Sequence, residues 1–440
     1  MSSSYLDTPS LDIFGQQLSL QIYTQITLCY KVDDPSSFDK IVPILEAGLR
    51  ILDESFPYVL DEVIVDNGIC KLVSFDDSPR LIVKDYRNEM DFEKLAEAHF
   101  PFRMLDEKVL APRMTIPGTN GEKFAGNSMP VLLIQVMLIK GGVLVTFVAA
   151  HNVMDMIGQA FIIGLLDKAC HGNSYSSEDI RIGNFRRDTA IPLLEDDNKI
   201  MSRASEYRVS KGERPVSPPA CWKYFLFSGE SLKALKKEAM SSVTSGFVST
   251  DDALSALIWQ SVARSRIVRL GGSRYQTLSR AVDSRKFVGL PPTYPGVIQD
   301  MACNRCTFQE LVDKPLGLIA YELRSQIVPA RIKEDVQLLA TLTHRAEDKR
   351  EFSLVASVDP SVDIMISSWA KVDYYNMDFN LGLGKPIAVR RPEFIPFEGL
   401  IYFMPKKSDG EIAVAISLRN EDMERLRKDE ILMKYSTYIE

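Results

Sequence analysis

The chain has 440 residues, 45% of them hydrophobic and 25% charged, with a net charge of −7. That acidic balance argues against a nucleic-acid partner, which would call for a basic surface, and the composition is that of a soluble globular protein. The length exceeds what one hydrophobic core usually supports, so two domains of about 200 residues are expected. The first residues, MSSSYLDTPSLDIFGQ, carry two aspartates and no basic-then-apolar run, so no secretory signal is read there. No apolar run approaches the ~18 residues needed to cross a bilayer. Cys29, Cys70, Cys170, Cys221, Cys303 and Cys306 are spread along the chain, a usage that suits reduced thiols in the cytoplasm better than a disulfide framework. Cys303 and Cys306 form one CxxC with no second ligand pair beside it, so no metal is expected.

In chain order, an alternating strand is predicted around Gln21–Tyr30, then a helix with Phe38, Ile41, Val42, Leu45, Leu49 and Leu52 on one face and Ser36 or Ser37 as its cap. Short strands follow at Ile69–Ser74 and Pro130–Ile139. The run from Val143 to Ala150 holds a single polar residue, Thr146, and reads as a strand buried on both faces. It is followed at once by HNVMD and a helical pattern of Met156, Ile157, Phe161, Ile162, Leu165 and Leu166. From Gly172 to about Ala220 the periodicity dissolves into charges, serines and prolines, which predicts a crossover between two halves. The boundaries expected are 1–175 for the first domain, 176–220 for the linker and 221–440 for the second domain.

The second half restarts with a strand at Lys223–Phe227 and a helix capped by Ser228. A helix in VSTDDALSALIWQSVAR follows, capped at Ser249 or Thr250 with Asp251 and Asp252 in its first turn. Strands are predicted at Thr277–Asp283 and over IMISSW (364–369), then the glycine-rich segment DFNLGLGKP, a hairpin turning on Asp409 and Gly410, and a last helix carrying Met423, Leu426 and Ile431.

Chemistry is sought at His151. A histidine ending a dry strand sits at the floor of whatever cleft lies above the sheet, and an imidazole of ordinary pKa about 6.5 both accepts and returns a proton near neutrality. Asp155 falls where a carboxylate caps the free N–H groups of a helix and meets the positive end of its dipole. Spacing alone is weak, because His344 and Asp348 repeat it in a charged run that reads as a solvated face. A core histidine satisfied by the backbone, with Asp155 merely a cap, is the competing reading, and the local residues do not choose between them. DFNLGLGKP (378–386), with glycines that permit positive φ and a proline that stops a helix, is by itself a turn.

Taken together, HNVMD after a buried strand, RAVDSR in the middle of the chain and DFNLGLGKP some way beyond it resemble the HxxxD and DFGWG signatures of the BAHD acyltransferases. The runs IYTQI, FVSTDDALSA, SRAVDSR, SSWAKV, GLGKP with VRRP, and YFMPKK with DGE are similar to the fungal trichothecene 3-O-acetyltransferases, from about residue 18 to the C-terminus. The resemblance implies an α/β fold of two chloramphenicol-acetyltransferase-like domains with mixed sheets and a central solvent tunnel between them. It implies acetyl-CoA as co-substrate with no tightly bound cofactor, a small-molecule alcohol as acceptor, and a monomer. By the same resemblance His151 is the general base, Asp155 fixes local geometry through an ion pair, and Asp378 belongs to the distal motif. Arg285 is the expected partner of Asp378, and Arg280 that of Asp155. Ser249, Thr250, Ser367 and Ser368 correspond to the CoA channel, and Arg285, Gly382 and Gly384 are placed with it. Two departures stand out: Asn380 replaces the first glycine of DFG, and Leu381 stands at the tryptophan position. Asparagine tolerates left-handed geometry best among non-glycine residues, so the loop is expected to keep its shape.

The resemblance leaves three alternatives. A carrier-protein condensation domain has HHxxxDG, but Ala150 and Met156 stand at the two distinguishing positions. A non-catalytic homologue is favoured only by Asn380. An enzyme of the same fold acting on an amine or a non-terpenoid alcohol is the third. Residues that choose the acceptor are expected in the loops Phe102–Gly126 and Tyr294–Cys306.

Overall fold

The Gly142–Ala150 strand is buried at every position, and its neighbours explain why. It lies inside a five-stranded sheet whose order from edge to edge is Ala388–Arg390, Tyr23–Lys31, Gly142–Ala150, Leu132–Lys140 and Leu81–Asp91. A computed structural model describes residues 11–74, 80–119, 128–209 and 218–440; positions 1–10, 120–126 of the first acceptor loop and 210–217 of the expected linker lie outside them. Pairing is antiparallel throughout this sheet except between Leu81–Asp91 and Leu132–Lys140, which run parallel. The helix Phe38–Ser55 and the helix Met156–Cys170 pack side by side, and their apolar faces share one core with the sheet. The amphipathic spacing read from Phe38 onward is therefore used as predicted, although Ser37 makes no capping bond; Asp34 caps the short turn that leads into the helix.

The second half builds a seven-stranded mixed sheet in the order Gln299–Thr307, Tyr275–Asp283, Ile364–Ser368, Leu400–Phe403, Ile412–Arg419, Ala220–Phe227 and Thr437–Ile439. Its core closes under the helix Thr250–Leu270, held by a capping box between Ser249 and Asp252. Two features depart from expectation. The C-terminal helix is two short ones, Asn420–Leu426 and Glu430–Met433, followed by the edge strand Thr437–Ile439. The strand Ala388–Arg390, which lies far beyond residue 220, joins the first half's sheet by pairing with Tyr23–Lys31, so the halves are stitched together by the chain itself. The crossover also contains helices at Ser177–Gly183 and Asp197–Arg203. A third, three-stranded sheet takes Ile69–Val73, Glu62–Asp66 and Ser128–Pro130, which explains why the strand expected from Pro130 begins at Leu132. All six cysteines are free. Cys303 and Cys306 occupy one strand, where residues three apart face opposite sides. Among the described residues no helix is long and apolar enough to cross a membrane.

Candidate active site

His151 is fixed by its backbone before its side chain is considered. Its N–H donates to the Ile22 carbonyl at 2.8 Å, while the N–H groups of Val153 and Met154 both return to the Ala150 carbonyl at 3.0 and 3.2 Å. This tight turn lifts the imidazole off the end of the sheet into a cleft of about 1170 Å³, part of it open to solvent. Thr24 and Met156 from the first half and Gln299 and Ser367 from the second line the same cleft, so the histidine stands where the halves meet. Nδ1 is buried without a partner, while the residue as a whole is half-buried and lines the cleft. Burial pushes the imidazole below its ordinary pKa of 6.5; the Asp155 carboxylate only partly offsets this, and the Arg391 guanidinium adds to the lowering. The ring is neutral at pH 7 and able to take a proton.

Asp155 borders the same cleft, but its carboxylate is held by the protein. Its Oδ1 accepts from the N–H groups of Ile157 and Gly158 at 3.1 and 2.9 Å and from Arg285 Nη2 at 2.7 Å, and its Oδ2 accepts from the Ile298 N–H at 3.2 Å. Arg285 is buried and also donates to the carbonyls of Tyr294 and Gly296 and to Asp283. One carboxylate thus starts the 156–170 helix and ties it to a segment of the second half. The approach is close enough to require glycine on both sides. A Cβ at Gly158 would lie 2.2 Å from the Pro295 carbonyl oxygen, and one at Gly296 would lie 2.1 Å from Asp12 Oδ2. The expected pairing is therefore corrected: Arg285, not Arg280, is the partner of Asp155. Arg280 donates to Asp252 at 2.9 Å. Arg285 lines the cleft, but its donors are already engaged in this clamp.

Asp378 is placed elsewhere. It lies against the C-terminal end of the same helix, whose 15 residues span roughly 22 Å, and it is not among the residues lining the cleft. Its Oδ1 is 2.7 Å from His171 Nε2 and accepts from the Asn380 N–H at 2.9 Å. No arginine pairs with it among the described residues, which corrects the Arg285 expectation a second time. Phe379 and Asn380 both adopt left-handed φ, 51° and 55°, so the loop keeps its turn through an asparagine as expected, with Asn380 Nδ2 donating to the Cys170 carbonyl at 3.4 Å. Asp167, His171 and Asp378 bring one donor atom each within 4.8 Å of one another, but the His171–Asp378 bond and a Phe379 N–H donated to Asp167 at 2.7 Å already account for that cluster.

Ser367 and Ser368 line the cleft. Ser367 Oγ accepts from Trp369 Nε1 at 3.0 Å, and Ser368 donates to Asp251 at 2.6 Å, joining the strand to the start of the 250–270 helix. Ser249 caps that helix, Thr250 is its first residue, and neither lines the cleft. Gly382 and Gly384 sit in the distal loop with φ of 73° and 71° and open space where a Cβ would be; backbone conformation alone requires them. The segment Tyr294–Cys306 is a loop only as far as Ile298: Ile298 reaches the cleft, as do Gln299 and Met301 of the Gln299–Thr307 strand, while Tyr294 and Gly296 pack behind Asp155. None of the described residues of Phe102–Gly126 lines this cleft.

Two groups escaped the sequence reading. Asp12, Arg187 and Tyr294 form a buried cluster behind the HNVMD turn: Tyr294 donates to Asp12, and Arg187 Nη1 donates to Asp12 at 3.2 Å and to the Val153 carbonyl at 2.6 Å. Burial drives the Asp12 carboxyl up, against the pull of Arg187 and Tyr294. The second is Arg391, 2% exposed, which lines the cleft. The two arginines of VRRP were the signal, because a charge pair ending an apolar strand must find partners or face a cavity.

Residues 22–170 match the trichothecene 3-O-acetyltransferase-like N-terminal domain, and residues 116–433 match the Transferase family. The chain is 45% identical to trichothecene 3-O-acetyltransferase TRI101 of Fusarium sporotrichioides, over 98% of this chain and 96% of that protein. It is 41% identical to a trichothecene 3-O-acetyltransferase of Saccharomyces cerevisiae, over 100% of this chain and 97% of the relative. The fold superposes on the crystal structure of F. graminearum TRI101 complexed with coenzyme A and T-2 mycotoxin with a TM-score of 0.92 at 40% identity, over 99% of this chain and 100% of the other. The chain belongs to the BAHD-type Transferase family, in its trichothecene 3-O-acetyltransferase-like branch.

Proposed function

We propose that the protein is an acyl-CoA-dependent O-acyltransferase that moves acetyl from acetyl-CoA to a hydroxyl of a trichothecene-like terpenoid. The observation that carries this reading is a neutral imidazole in a cleft between two halves, on a turn whose next helix is capped by a carboxylate bound to the opposite half. Relatives at 45% and 41% identity are trichothecene 3-O-acetyltransferases, and a structural neighbour holds coenzyme A with T-2 mycotoxin. In the proposed reaction His151 takes the hydroxyl proton as the alcohol oxygen attacks the thioester carbonyl. The tetrahedral intermediate then collapses, the C–S bond breaks, and the departing thiolate receives the proton from His151. Neither a covalent enzyme intermediate nor a metal is needed. Asp155 and Arg285 act by orientation, since every one of their contacts described above is to the protein.

The Ser367 and Ser368 hydroxyls are suited to the polar pantetheine arm, and the apolar wall formed by Leu20, Ile22, Met156 and Ile298 to a largely hydrocarbon acceptor. We assign the enzyme to the cytoplasm, in keeping with its six free cysteines, and to action as a monomer, because one chain builds both walls of the cleft. The test is thiol release from acetyl-CoA with a panel of trichothecene and other terpenoid alcohols. Release that depends on the alcohol and is lost in His151→Ala supports the reading; no alcohol-dependent release across the panel overturns it.

A further inference from the structure

The charged residues lining the cleft are unevenly matched. Asp155 and Asp283 both contact Arg285, and His151 is neutral. Arg391 has no carboxylate within 4.0 Å among the described residues and no side-chain hydrogen bond, although it is 2% exposed and its Nε is buried without a partner. What holds it is a cage of aromatic faces: its guanidinium carbon lies 4.2 Å from the Phe394 ring centre, 4.7 Å from Tyr402 and 5.7 Å from Trp369. Its main chain is pinned by Tyr224, whose Oη accepts the Arg391 N–H at 3.0 Å and donates to the Arg391 carbonyl at 3.3 Å. Glu107, a buried carboxylate that feels this charge, lies beyond ion-pair reach and binds the Thr115 N–H and Gln25 instead.

A buried cation without a counter-charge is expensive, and aromatic faces recover only part of that cost. Such a group persists where an anion visits. Coenzyme A's phosphates are not that anion, because the pantetheine arm holds them many bonds from the thioester that must meet His151. The ground-state alcohol and thioester are neutral. The negative charge that arises beside His151 is the one made by the reaction.

We infer that Arg391 is the oxyanion donor of this active site, its Nη groups meeting the carbonyl oxygen as the alcohol adds to the acetyl thioester. The inference rests on the transferase reading above. As the hydroxyl oxygen bonds to the carbonyl carbon, its proton goes to His151 and the C=O π pair moves onto the carbonyl oxygen. Arg391 holds that charge until the C=O bond re-forms and the C–S bond breaks. The aromatic cage keeps the guanidinium in place beforehand, so no reorganisation accompanies the charge. The same positive charge disfavours protonated His151, so base and oxyanion donor support one another.

The test compares wild type, Arg391→Met and Arg391→Lys in steady-state turnover of acetyl-CoA with an alcohol that wild type accepts, alongside melting curves. Arg391→Met keeps the length and apolar contacts and should lower kcat on the order of 10²-fold, with KM for both substrates little changed. Arg391→Lys keeps the charge but not the planar fork and should fall between. The charged groups facing His151 are Asp155, with the Arg285–Asp283 pair behind it, and Arg391; removing the last should also move the acid limb of kcat/KM to higher pH. A folded Arg391→Met with unchanged kcat, or with KM alone raised, overturns the inference while leaving the transferase reading intact. If the Met variant does not fold, a folded Lys variant with wild-type kcat overturns it equally, since the ammonium lacks the planar fork. A wild type that releases no thiol with any alcohol overturns both.

Discussion

The helix Met156–Cys170 carries a signature aspartate against each end, and the two differ in almost every physical respect. At the N-terminal end, Asp155 is 7% exposed, caps the helix, and holds a buried arginine from the other half of the molecule. At the C-terminal end, Asp378 is half-buried, meets a histidine rather than an arginine, and shapes its own loop through the Asn380 N–H. One end joins two halves under a catalytic imidazole. The other seats a turn on the helix, where the dipole offers a carboxylate no help. Equal prominence in a sequence motif therefore hides unequal consequences.

The largest effect expected at the first end is kinetic. His151→Ala should lower kcat by roughly 10²–10⁴-fold, with a melting curve near wild type because the ring is half-buried and lines a cleft. A folded variant that retains turnover would remove the base assignment. Wild-type kcat/KM should keep its plateau below pH 6.5, since burial lowers the imidazole pKa and the neutral form survives further into acid. An acid limb centred above 6.5 would show a ring that is not desolvated in solution.

Next in size is Asp155→Asn, which should destabilise the protein by about 3–5 kcal/mol, the cost of stranding a buried charge when one partner is removed. The double variant Asp155→Asn, Arg285→Met should recover part of this loss, because no buried charge then lacks its partner; Asp283, which also loses Arg285, is 40% exposed and faces solvent. Melting curves of the two read the difference, and equal curves would mean that the ion pair does not join the halves.

How far the sequence reached follows the same division. The dry strand, its end at His151 and the cap at Asp155 were legible, because burial on two faces and the chemistry of a helix start are local properties. The ion-pair partners were not. Arg280 lies within the Tyr275–Asp283 strand, where alternation sends it toward Asp252, whereas Arg285 stands past the strand's end and is aimed by the Tyr294 and Gly296 carbonyls. Only the fold brings those carbonyls beneath residue 155. The strand Ala388–Arg390 was missed for a related reason: three residues have too little periodicity to announce a strand, and its partner Tyr23–Lys31 is more than 350 positions away. Arg391 follows that strand, so the cleft's unpaired cation went unseen with it.

The smallest effect sharpens the comparison most. Asp378→Asn keeps an oxygen able to accept from the Asn380 N–H, and it weakens a pair whose two side chains are 36% and 38% exposed. Such pairs contribute about 0–1 kcal/mol, so the melting temperature should barely move beside that of Asp155→Asn, and kcat should stay within about twofold by the same reasoning. No buried arginine is stranded by this change, because Arg285 pairs with Asp155 and not with Asp378. A loss of turnover above tenfold at unchanged stability would mean that the distal loop reaches the chemistry by a route other than the length of the helix, and the contrast between its two ends would then fail.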